Sequence, residues 1–209
     1  HFLLNVLPNR RSYQKFNPDP FIDSLTELRF KERIKNSKRN HDNESQTEDH
    51  LIVPILQLLD NGMLSQGELD GEHTDFLLYP PGTNFQKDYG NTYSVVESKR
   101  VGRLRNKYFA QKSDNSDEIY QVRHYLRGVN ETLNNLEKDN NVEFAVLTDG
   151  ILWRLYSRRF THSKTEFETH FLEFDLEQIL NLPETGDRYE LLKLFAFVFR
   201  RKSLETELI

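Results

Sequence analysis

Two strand-like runs each end in charge. Asp75 stands in His73-Thr-Asp-Phe-Leu-Leu-Tyr79, and Glu97 and Lys99 close the run Thr92-Tyr-Ser-Val-Val-Glu-Ser-Lys99. On a strand, residues two apart share a face, so Val95, Glu97 and Lys99 point one way while Val96 and Ser98 point the other. If the two runs pair, the Asp75 carboxylate approaches that of Glu97. Carboxylates that close repel, and the arrangement is stable only when a cation neutralises them or one takes a proton. Hard oxygen donors of this kind favour Mg²⁺ or Mn²⁺. The abrupt passage from valines to charge, with no turn residue between, marks a strand whose end faces a ligand.

The elements that must position these residues are read from hydrophobic period and capping signals. Asp19-Pro20 opens a run to Ile34 with Phe21, Leu25, Leu28 and Ile34 near helical spacing, which predicts an amphipathic helix. Lys35 to Gln46 has no apolar residue and is expected to be a flexible connection. Thr47 is expected to cap a second helix running to Gly62, with Glu48 and Asp49 in its first turn and a kink at Pro54. The two strands pair as a hairpin. Residues 117 to 139 carry Ile119, Val122, Leu126, Val129, Leu133 and Leu136 at spacings of three and four, the clearest helix in the chain. Val142 to Arg159 gives two strands around a Thr148-Asp149-Gly150 turn, Phe167 to Leu176 a further strand, and Asp187 to Arg201 a Phe-rich helix. This order predicts an α/β fold, a three-layer sandwich with a central mixed β-sheet flanked by helices.

Composition bounds the function. The 209 residues suit a single globular domain, and with no cysteine there is neither a disulfide framework nor a thiolate metal site or nucleophile. A soluble protein of a reducing cytoplasm is expected, with no membrane span. The first residue is His, and a piece of a longer polypeptide is expected. A net charge of −5 argues against gripping nucleic acid by bulk electrostatics. Even so, Lys99, Arg100, Arg103, Arg105, Lys107 and Lys112 form a basic stripe, while acids crowd at Glu44 to Asp49 and Glu68 to Asp75. Asp149 reads as a turn residue, Trp153 as core, and the histidines as surface or boundary residues.

Asp75 followed by Glu97-Ser98-Lys99 resembles the PD-(D/E)xK nuclease motif of restriction endonucleases, with Thr74 where that family often has Pro. Gln121 and Tyr125, four residues apart on one side of a helix, look like the Gln-x-x-x-Tyr element of one branch of these nucleases. The Thr-Asp-Gly turn followed by Trp153-Arg-Leu-Tyr156 is similar to the N-terminal nuclease domains of type I and single-chain type IIG restriction enzymes. The helix from Thr47 resembles their opening helix, whose Glu, here Glu48, lies near the metal. The resemblance implies a restriction-endonuclease-like fold over residues 47–209, preceded by a helical extension and linker over 1–46.

It also implies roles. Asp75, Glu97 and the main-chain carbonyl of Ser98 hold Mg²⁺, for which Mn²⁺ can substitute, and Glu48 supports the metal through water. Lys99 orients the attacking water and offsets transition-state charge, while Gln121 bonds that water or fixes Lys99. Arg100, Arg103, Arg105 and Tyr125 meet backbone phosphates without reading sequence. The expected function is a Mg²⁺-dependent endonuclease acting on double-stranded DNA within a restriction-modification enzyme. Its partners are then methyltransferase and target-recognition domains, with a transient dimer for double-strand cleavage. Two alternatives stand beside it: a nuclease-like DNA-binding or assembly module without catalysis, and a structure-specific repair nuclease of the same fold.

Overall fold

Strands Ser94–Ser98 and Phe144–Thr148 carry almost nothing but buried side chains, so both faces of the sheet there must be covered by other elements. They are the adjacent, parallel central pair of a six-stranded mixed sheet in the order β1 to β6: β1 Gly62–Leu69, β2 Glu72–Tyr79, β3 Ser94–Ser98, β4 Phe144–Thr148, β5 Leu152–Ser157 and β6 Leu172–Asp175. All other neighbours are antiparallel. This is a computed structural model, and it describes residues 7–69, 72–82, 91–105, 118–135, 142–158 and 172–207. Lys107, Lys112 and Leu136, and Phe167 to Phe171 of the expected last strand, lie outside the described residues.

A parallel neighbour requires a crossover, and the helix α6, Glu118–Asn135, lies between β3 and β4 in the chain. Its Val122, Leu126, Val129 and Leu133 pack with Leu77, Val95, Ala145, Leu147 and Tyr156 on one face of the sheet. The other face presents Phe76, Leu78, Val96, Val146, Trp153 and Leu155 to the remaining helices. These are α1 Arg11–Gln14, α2 Asp19–Glu27, α3 Phe30–Asn40, α4 Glu44–Thr47, α5 Val53–Leu58, α7 Leu176–Asn181 and α8 Gly186–Phe199. Trp153 is fully buried, edge-on to Phe195 and Phe199 at 5.6 and 5.5 Å between ring centroids. The α/β architecture with helical layers on both faces is the expected one.

The N-terminal third departs from expectation in three ways. The helix from Asp19 stops at Glu27, Arg29 takes a left-handed conformation at φ 48°, and a new helix runs to Asn40. Lys35 to Gln46 is therefore not a flexible connection. Phe30, Ile34 and Ser37 form the buried stripe of α3, and its third member is a serine, which hides the period from a hydrophobic count. Ser37 is satisfied in the interior by donating to buried Asp42 at 2.6 Å, and His50 Nδ1 lies 2.8 Å from the same oxygen. Leu7, Tyr13, Phe21, Leu25, Phe30 and Ile34 join the same core as Leu51 and Ile52.

The second helix is capped by Asn43, not Thr47. Asn43 and Gln46 form a reciprocal capping box, each side chain bonding the other's main-chain N–H. Between α4 and α5 the residues Glu48–Ile52 form a π turn. Pro54 has no N–H and its ring crowds the carbonyl four residues back, and a locally wider turn accommodates it.

Strand β1 was not expected. Its sequence, with two glycines, Ser and Gln, has little intrinsic strand preference, and antiparallel pairing along the whole of β2 overrides that. Helix α7 was likewise not expected, and it begins at Leu176, where the expected last strand ends; Asp175 ends β6 and caps α7 by accepting from Gln178 N–H at 2.9 Å.

Candidate active site

Register brings the carboxylates together. Phe76 pairs with Val96 and Leu77 with Val95, so continuing by one residue sets Asp75 opposite Glu97 on the face covered by α6. There the ladder ends: the Ser98 main-chain N–H donates to Asp75 Oδ2 at 2.7 Å. Ser98 Oγ, on the opposite face, lies 2.5 Å from Glu48 Oε1 and 3.0 Å from Asp75 Oδ2. A hydroxyl has one proton to give, so it serves Glu48 at the shorter distance while the main chain holds Asp75. On the far side of β3, Lys99 N–H continues the parallel ladder to the Thr148 carbonyl at 2.8 Å, which fixes the position of the lysine stem.

Glu97 is 3% exposed, and its Oε1 accepts from Lys99 Nζ. Its Oε2 is buried with no hydrogen-bond partner. Burial, and then repulsion from Asp75, raise the Glu97 carboxyl to about 8, against the opposing pull of Lys99. Burial works against the Lys99 ammonium, yet Glu97, Glu44 and Asp75 together outweigh it and hold Lys99 above its ordinary value. Glu48 and Glu44 are both raised, chiefly by burial and in part by Asp75. Four carboxylates thus converge on one strand end with one buried ammonium among them.

Glu44 is the residue that sequence reasoning missed. Its Oε2 lies 3.9 Å from Lys99 Nζ, and it precedes Glu48 by one helical turn. The i, i+4 pair Glu44/Glu48 would have pointed to it had the helix start been placed at Asn43. Thr47, between them, is fully buried and accepts from Val101 N–H at 3.0 Å, tying this helix to the segment after β3.

The other expected residues are placed as follows. Gln121 and Tyr125 are half-buried on α6, and Tyr125 packs against the apolar cluster that contains Leu77 and Val95. Arg100 is exposed and Arg103 half-buried just beyond Lys99. Arg105, expected to meet phosphate, is paired with Asp175 and Glu177. Asp149 is a buried turn residue, accepting from Ile151, Leu152 and Leu104 N–H at 3.1, 2.8 and 3.0 Å.

Among the described residues no group of three or more His, Asp or Glu side chains is arranged to hold a metal ion. The donors that suit a hard divalent cation are fewer: Asp75 and the unpartnered Glu97 Oε2. A buried acceptor left without a donor, beside a second carboxylate, is the feature a cation would satisfy. The residues present fit such an ion on donor chemistry.

No family model matches the chain, and no curated protein matches it. Among solved structures it is similar to the type IIG restriction endonuclease BpuSI, at 13% sequence identity and a TM-score of 0.38, over 74% of this chain and 15% of that one. The chain thus corresponds to a small fraction of that protein's length. No helix among the described residues is long and apolar enough to cross a membrane.

Proposed function

We propose that the chain is a Mg²⁺-dependent DNA endonuclease domain of a restriction-modification enzyme, with the PD-(D/E)xK set Asp75, Glu97 and Lys99 at the end of β3. The observation that carries this reading is the juxtaposition of Asp75 and Glu97 with a buried, unpartnered Glu97 oxygen and an adjacent ammonium. Asp75, Glu97 and the Ser98 carbonyl would hold the ion, with Mn²⁺ as a substitute and Glu48 beside it. When bound, the metal polarises the phosphodiester and lowers the pKa of a water. Lys99 holds positive charge where negative charge develops on the phosphoryl oxygens, and its pairing with Glu97 keeps it aimed there. Gln121 orients the water and Tyr125 meets the backbone, both from α6. Arg100 and Arg103 contact phosphates and set register on the duplex. The acidic balance of the chain is consistent with methyltransferase and target-recognition domains delivering the DNA, and with pairing of two such domains for a double-strand cut.

A second reading, a DNA-binding or assembly module of the same fold without catalysis, is favoured by one observation: the Lys99 ammonium already occupies Glu97, a carboxylate the metal would need. Plasmid DNA incubated with the protein in Mg²⁺, in Ca²⁺, and with Lys99→Ala in Mg²⁺ separates the two. The nuclease reading expects cutting only by the unaltered protein in Mg²⁺. Equal cutting by Lys99→Ala overturns the mechanism, and DNA binding without cutting in any arm establishes the module.

A further inference from the structure

A cavity of about 270 Å³ opens between the C-terminal end of α3 and the segment after β3, lined by Lys38, His41, Asp42, Arg100, Gly102 and Arg103. The wall after β3 is a tight turn in which Arg103 N–H donates to the Arg100 carbonyl at 3.1 Å. Gly102, at its third position, has φ +78°, the conformation a type II turn needs there. Such a turn brings its first and last Cα within about 7 Å of each other. Two arginines, the first and last residues of one turn, therefore line one cavity.

The turn is held on both sides. Val101 N–H donates to Thr47 Oγ1 and Leu104 N–H to Asp149 Oδ2, each at 3.0 Å. The opposite wall comes from α3, where Lys38 and His41 add further donors. His41 is the helix cap, at φ 55°. Lys38 shares its ammonium with Glu177 at 3.1 Å, and Asp42 Oδ2 is already engaged by Ser37 and His50. With Lys38, Arg100 and Arg103 in its lining and the Asp42 carboxylate already engaged, the cavity has a cationic excess that suits the oxygens of a phosphate group. Arg100 directly follows Lys99, with the two Cα atoms about 3.8 Å apart across a trans peptide.

We propose that this cavity is an oxyanion pocket that seats a phosphodiester of the nucleic-acid strand, one or two nucleotides from the bond held at Glu97 and Lys99, and that α3 supplies half of it. The identity of the strand rests on the nuclease reading, whereas the oxyanion pocket itself does not. On this account α3 is part of the substrate surface and not an extension beside it. The pocket fixes register and reads no base.

The test has two arms on the whole chain. In the first, inorganic phosphate is titrated into the metal-free protein and followed by calorimetry and by the His41 imidazole resonances. Saturable binding is expected, lost in Arg100→Ala/Arg103→Ala, weakened several-fold in His41→Asn, and retained in Lys99→Ala. Asn tolerates the left-handed cap, so His41→Asn removes the imidazole and not the turn. Binding unchanged in Arg100→Ala/Arg103→Ala, or absent in the unaltered protein, overturns the pocket. In the second, duplex binding is measured in Ca²⁺ against salt. The double variant is expected to reduce the log–log slope by about 1, the value of one lost phosphate contact. An unchanged slope beside a real phosphate site means a free oxyanion pocket only, and overturns the strand assignment. Failure of the nuclease reading shows differently, as phosphate binding that follows the pattern above with no cleavage in Mg²⁺.

Discussion

The main-chain N–H of Ser98 donates to the carboxylate of Asp75 at 2.7 Å. One strand's backbone thereby holds a side chain of its neighbour where the ladder stops, and the residue that follows Glu97 in sequence fixes the acid that faces Glu97 in space. The Ser98 hydroxyl extends the link to Glu48, so two acids from different elements are bonded by one residue.

Ser98→Ala keeps the N–H bond to Asp75 and removes the hydroxyl from between Asp75 and Glu48. The loss of a buried, charge-assisted hydrogen bond is expected to cost about 1–3 kcal/mol in urea denaturation. If the midpoint does not move, the hydroxyl is not what holds Glu48 to the strand.

The raised Glu97 carboxyl makes the metal-free fold pH-dependent. Between about 4.5, its ordinary value, and about 8, the folded chain retains a proton that the unfolded chain releases. Stability contributed by the neutral form is therefore complete at the acidic end and falls as pH rises through this window, at no more than about 1.4 kcal/mol per unit. In a chelator, denaturation midpoints of the unaltered protein should decline from pH 5 to 8 more steeply than those of Glu97→Gln. Equal slopes would remove Glu97 as the source.

Asp42 behaves in the opposite sense. Burial alone would raise its carboxyl, but the bonds from Ser37 and His50 outweigh burial and hold it below its ordinary value. Its contribution is present above about 4 and is lost as pH falls through the depressed value. Asp42→Ala leaves buried Ser37 without its acceptor, at an expected cost of about 1–3 kcal/mol at neutral pH that shrinks on acidification. Thermal unfolding at pH 7 and pH 3 measures both.

Gly150 has φ +78°, and a Cβ there would lie 2.6 Å from Leu51 Cβ. The Thr-Asp-Gly turn is thus also the seat of the helix turn that carries Glu48. Gly150→Ala should destabilise by more than about 1 kcal/mol, since strain in φ adds to the overlap. A folded Gly150→Ala protein of unchanged stability would mean that Leu51 moves freely, contrary to its full burial.

Arg105 is tied to Asp175 and Glu177, and its half-exposed guanidinium makes these pairs sensitive to salt. Arg105→Ala should lower stability by about 1 kcal/mol or less, with the difference fading at high salt, and should leave the salt slope of DNA binding unchanged. A reduced slope would return Arg105 to the phosphate contacts.

The α/β class, the β2–β3 hairpin, α6 and the β4–β5 hairpin were legible in the sequence because each carries its own period of apolar residues and meets its partner nearby in the chain. The alternation Val95, Glu97, Lys99 by itself put the carboxylate and the amine on one face. What only the tertiary structure decided are features set by contacts that no apolar period announces. The stripe of α3 closes on Ser37, which is polar until Asp42 and His50 satisfy it; β1 is a strand because β2 lies beside it; and Glu44 joins the site because Thr47 and Val101 hold its helix against the end of β3. Arg105 and Arg100 look alike in the sequence, and the two acids at the β6–α7 junction separate them. Local period states which way a side chain points, while the charge that meets it there is fixed only when remote elements pack.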